Sequence, residues 1–121
     1  MADEAQSPHA AMQRADALLS HVWMVRTFLK HSDEAADDEE LAEIYRTLYD
    51  AMLALGPAYN AGDPSAYFRQ LRKKIGRLRR AAETFAELQP EVSTHTNFIM
   101  AARSLQTAVD ALVRLLEEET A

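Results

Sequence analysis

The side chains best suited to act on another molecule are cationic. Arg69, Arg72, Lys73, Lys74, Arg77, Arg79 and Arg80 crowd one short stretch that holds no acid. Guanidinium and ammonium groups in such a row attract carboxylates and phosphates. Arg69, Lys73, Arg77 and Arg80 recur at steps of three and four, so a helix places them on one side. Gly76 lies beside them. Glycine inside a helix costs about 1 kcal/mol relative to alanine, and it lets another chain approach closely. The stripe therefore suits an acidic protein segment or a phosphate-bearing ligand. The opposing expectation is neutralisation within the fold. A hairpin folded about residue 60 brings Asp37, Asp38, Glu39, Glu40 and Glu43 level with residues 76–82, where they would quiet the charge.

Histidine is the next candidate. His95 is in register with Phe98 and Ala102, which predicts a place on the apolar side of the last helix. A ring buried there must find hydrogen-bond partners. His31 is expected at the same end of the molecule. Together with Glu83 or Glu87, the two rings could ligate a metal and support a hydrolase. The spacing does not ask for one, because the chain has no E-x-x-H and no H-x-x-x-H. Glu40 and Glu43 have a Mg²⁺-binding spacing, but no second acidic pair faces them. There are no cysteines, which excludes disulfides, thiolate ligands and a Cys nucleophile. No Gly-rich phosphate loop, zinc spacing or Ser-His-Asp pattern occurs. No cofactor is expected, and the balance favours a protein without catalytic activity.

Arg26 and His31 enclose the stretch Arg26-Thr-Phe-Leu-Lys-His31. An arginine and a histidine with four residues between them, in a small all-helical chain, resemble the motif of HEPN ribonucleases. The resemblance covers six residues. It implies RNA cleavage by Arg26 and His31, commonly in a dimer, and the alternative expectation is an RNA-binding or RNA-cleaving domain that uses Arg26, His31 and the cations of residues 69–80. On a regular helix these two side chains point about 140° apart. The plainer expectation is an arginine at the core edge and a histidine favoured by the helix C-terminus.

The elements that position these groups follow from apolar spacing. Phe68, Leu71, Ile75, Leu78, Ala82 and Phe85 form one stripe of a helix from Pro64 to about Leu88. Asp63-Pro64 starts it and Gln89-Pro90 ends it. Ahead of it, Leu41, Ile44, Tyr45, Leu48, Met52 and Leu55 mark a helix over 38–55. Asp37 or Asp38 caps that helix, and Gly56-Pro57 closes it. Ser7-Pro8 opens a first helix to about residue 31, with Ala15, Leu18, Val22, Val25 and Leu29 facing inward. The last helix, over 91–118, points Phe98, Ala102, Leu105, Val109, Leu112 and Leu116 inward. Four helices on short connections predict an all-α, antiparallel up-down-up-down four-helix bundle over residues 7–121, after a disordered tail of residues 1–6.

The first helix is too apolar for one packing face. Trp23 sits at the edge of its stripe, and Met24 and Phe28 point away from it. A surface of that kind usually marks a contact, so Trp23, Met24 and Phe28 are expected to form a homodimer interface. The 121 residues carry 19 acidic and 13 basic side chains. Seven of those cations lie in residues 69–80, so the rest of the chain is strongly acidic. That balance disfavours non-specific nucleic-acid binding and leaves one local anion site. The start, MADEA, is not a signal peptide, and no stretch is apolar for long enough to span a membrane. A cytoplasmic protein-protein interaction module is the resulting expectation.

Overall fold

The computed structural model describes residues 7–120. They form α1 (Pro8–Lys30), α2 (Asp33–Ala36), α3 (Glu39–Asn60), α4 (Pro64–Val92) and α5 (Thr96–Thr120), with no strand among the described residues. Residues 1–6, where a tail is expected, lie outside them. None of the helices is long and apolar enough to cross a membrane.

Short polar residues start the long helices by accepting otherwise unpaired backbone N–H groups. Ser7 Oγ accepts from Ala10 at 3.1 Å, and Pro8 stands where no N–H is needed. Asp38 accepts from Glu40 and Leu41 at 2.9 and 3.1 Å. Asp63 does the same for α4, from Ala66 at 3.1 Å. The connection between α1 and α3 holds α2, a single turn capped by Ser32.

Two proline signals do not end their helices. α3 runs through Gly56-Pro57 to Asn60. Gly56 has no Cβ and so removes one of the clashes that a proline ring makes with the residue before it. The left-handed residue that closes the helix is Gly62, with φ 64°. Likewise α4 runs past Gln89-Pro90 to Val92, where Ser93 N–H bonds to the Gln89 carbonyl at 3.0 Å. The last helix accordingly starts at Thr96, later than its apolar spacing suggests.

The core is apolar throughout, with no buried polar or charged residue among the described residues. Phe98, Ala102, Leu105, Val109, Leu112 and Leu116 of α5 are all buried, as are Phe68, Leu71, Leu78, Ala82 and Phe85 of α4. On α1 the inward stripe is turned slightly from expectation. Leu19 is fully buried, whereas Leu18 is only partly covered. Each leucine fully withdrawn from water contributes about 1.5–3 kcal/mol.

The long helices pack in a ring, α1 on α3, α3 on α4, α4 on α5 and α5 on α1, while α1 and α4 meet across the middle. Side-chain contacts fix the alignment. Between α1 and α5, Arg14 meets Glu118, His21 meets Ser104 and Phe28 meets Phe98. Between α3 and α4, Asp50 meets Lys74 and Tyr59 meets Tyr67. In both pairs the partner's number falls as the residue number rises.

Candidate functional site

α4 carries the cationic stretch, and its buried stripe decides where each cation points. Lys74 and Arg77 flank the stripe on the α3 side. Lys74 Nζ lies 2.8 Å from Asp50 Oδ2, and an Arg77 nitrogen lies 4.0 Å from the same oxygen. Asp50 is thus the acid that neutralises part of the stretch. It was not among the acids expected from the sequence. Of those, Asp38 is spent on the α3 cap, and Glu39 and Glu43 pair with Arg46 at 2.7 and 3.8 Å. An open groove of about 450 Å³ between α3 and α4 does set Glu40 and Glu43 beside Arg77 and Arg80, without an ion pair across it.

The remaining cations point outward. Arg69, Arg72, Lys73, Arg79 and Arg80 are exposed and have no acid within ion-pair distance among the described residues. Arg69, Lys73 and Arg80 line the outer crest with Gly76 between them. By helix rise the crest is about 16 Å long. A Cβ on Gly76 would meet nothing within 4 Å, so no packing inside this chain calls for a glycine there.

A second cluster joins α1 to α3. The Arg26 guanidinium lies 4.8 Å from the Trp23 ring centre and 4.5 Å from that of Tyr49, and the rings are 6.2 Å apart. The two rings flank the guanidinium and hold it by cation–π contact. Arg26 Nε is buried with no hydrogen-bond partner. Around the cluster Trp23, Met24, Tyr49 and Leu53 are exposed at 39%, 63%, 38% and 58%. Phe28 does not belong to this surface. It is partly buried and packs edge-on against Phe98 of α5 at 4.9 Å. The expected trio therefore splits, because α1 is flanked by α3 on one side and α5 on the other.

Further along the same α1/α3 side, Asp16 accepts a long hydrogen bond from the buried Tyr67 hydroxyl, at 3.5 Å. Burial pushes the Asp16 carboxyl above its usual range, and the Tyr67 hydroxyl partly offsets this. Burial, reinforced by the Asp16 charge, drives the Tyr67 phenol well above its ordinary value.

The other polar candidates are kept apart. His31 is the exposed C-cap of α1, while Arg26 is held against Trp23 and Tyr49, so no shared site forms. His95 is exposed instead of lying on the core side. Its Nδ1 accepts from Asn97 N–H at 3.0 Å, and its carbonyl accepts from Phe98 and Ile99. It caps α5, a role usually filled by Ser, Thr, Asp or Asn. Among the described residues no three His, Asp or Glu stand together as metal ligands. Sequence spacing could not reveal the Arg26 stack, because Tyr49 belongs to another helix. Comparison with protein-family models, curated proteins and solved structures finds no match.

Proposed function

We propose that this chain is a non-catalytic interaction module, an up-down-up-down four-helix bundle that displays the α4 ridge to an acidic protein segment. The reversed order of contacts between α1 and α5, and between α3 and α4, supports the bundle reading. One observation carries the function: five neighbouring cations on one rigid helix have no acid within ion-pair distance among the described residues, although acids outnumber bases in the chain. Repulsion along that crest costs stability, and among the described residues no ion pair offsets it.

An acidic protein fits better than a nucleic acid. Single strands are usually gripped by cations interleaved with exposed aromatic rings on which bases stack. The aromatic residues of α4, Tyr67, Phe68 and Phe85, are all buried. The net charge of −6 also repels a long polyanion that extends beyond the ridge.

Fluorescence anisotropy with a labelled oligoglutamate tests the reading at low and high salt. Binding should be clear at low salt and should vanish in the triple variant Arg69→Glu, Lys73→Glu, Arg80→Glu, with the circular dichroism spectrum unchanged. Equal binding by that variant would remove the ridge from the account. Preference for an RNA of equal charge, or its cleavage in a manner needing Arg26 and His31, would return the function to nucleic acid.

A further inference from the structure

The α1/α3 face carries more than exposed apolar area. It holds a cation and an anion that lack an opposite charge within ion-pair distance among the described residues. Arg26 has no acid within ion-pair distance among the described residues, and Asp16 has no base. Asp16 accepts instead from the neutral Tyr67 hydroxyl. The two sit about 15 Å apart along α1, ten residues at 1.5 Å each. Trp23, Tyr49 and Leu53 lie on the face between or beside them.

That arrangement is its own complement. A two-fold axis lying in the face, across α1 and midway between the two charges, sets the anion of one copy over the cation of the other. A two-fold interface needs this property, since residue i of one copy meets residue j of the other and the reverse. We propose that the α1/α3 face docks a second copy of this chain, with Arg26 of each copy reaching Asp16 of the other across a centre of Trp23, Tyr49 and Leu53.

Two details of the face fit that occupant. The Arg26 guanidinium is pinned by two rings, so it is already oriented, and its edge donors suit a carboxylate. Asp16 has acceptor capacity left after one long bond to Tyr67. The inference goes beyond the ridge reading and does not depend on it, because α4 takes no part.

Charge swaps give the test. Arg26→Glu and Asp16→Lys are each purified and checked by circular dichroism, then run by sedimentation velocity alone and mixed. Wild type should sediment as a dimer at about 50 µM, a range accessible to modest interfaces. Each variant alone sets like charges together twice, which should weaken association about ten- to hundredfold. The equimolar mixture restores both opposite pairs and should recover the dimer. Trp23 is the only tryptophan, so its emission should shift to the red as wild type is diluted to monomer. Should Arg26→Glu fail to fold, Leu53→Lys serves instead, at an exposed residue whose change leaves the monomer intact. A monomeric wild type, a mixture that stays monomeric, or a dimer indifferent to Leu53→Lys would each overturn the proposal.

Discussion

Lys73 and Lys74 are chain neighbours on one helix, and the structure assigns them opposite effects on stability. Lys73 stands on the crest, exposed, with Arg69 four residues before it and Arg77 four residues after. Like charges at that spacing destabilise a helix by about 0.2–0.5 kcal/mol per pair. Replacing Lys73 with glutamine removes two such pairs. Lysine and glutamine have nearly equal helix propensity, so little else changes. Lys73→Gln should therefore raise stability by about 0.4–1 kcal/mol at low salt. Lys74 is different. Its side chain is only 22% exposed, and its ammonium lies 2.8 Å from Asp50. Lys74→Gln gives up that pair and leaves Asp50 with Arg77 at 4.0 Å. A partly exposed pair of this kind is worth up to about 1 kcal/mol, so this variant should lose stability.

Urea unfolding followed by circular dichroism at 222 nm, a wavelength standard for helix content, measures both. Each variant is run near 0.01 M and near 1 M salt, where charges are felt over about 30 Å and about 3 Å. The two effects should have opposite signs at low salt, and the Lys73 gain should fade at high salt. A loss of stability in Lys73→Gln, or equal shifts in both variants, would mean that the crest is already neutralised. The argument that it awaits a partner would then fail.

Three further outcomes follow from other parts of the structure. Folded Asp16 and folded Tyr67 both hold their protons to higher pH than in the unfolded chain. Stability should therefore fall as pH rises past about 4 and again past about 10, and urea midpoints across pH should show Asp16→Asn losing the first decline and Tyr67→Phe the second. His95→Ala removes the ring acceptor for Asn97 N–H and should cost about 0.5–1 kcal/mol by the same unfolding measurement, with the loss confined to α5 protection in hydrogen exchange. Leu105→Ala, at a fully buried position, should cost about 2–5 kcal/mol and lower the melting temperature sharply, whereas Met24→Gln should leave the monomer's melting temperature unchanged.

Apolar spacing alone located the inward faces of α4 and α5 almost residue by residue. Such a stripe is a property of one helix and needs no knowledge of its neighbours. Boundaries were less legible where two local rules compete. Gly56-Pro57 and Gln89-Pro90 both read as stops, yet each proline lies inside its helix, so the local rule gave way at both. His95 misled for a related reason. Its register matches Phe98 and Ala102, but it precedes the first turn, and register has no meaning before a helix begins. Charge was harder still. The cationic stretch is plain in the sequence, but its neutraliser is not, since Asp50 is only one acid among 19. The Arg26 stack depends on which side of α1 meets α3, which spacing leaves open.

The ring order of the helices keeps the two surfaces from competing. α1 and α4 sit across the middle from each other, so the outer crest of α4 points away from the α1 side. Two copies joined through α1 and α3 would leave both ridges uncovered and hold them at a fixed separation. A partner with one acidic segment would gain nothing from that arrangement. A partner with two, joined by a linker matched to the separation, would bind the second ridge at an effective concentration near the millimolar range. The gain over a single segment, about a hundredfold or more, should then disappear in Leu53→Lys while single-segment affinity stays unchanged. Loss of both together would mean that the two surfaces are one site, and that the separation drawn from the helix order is wrong.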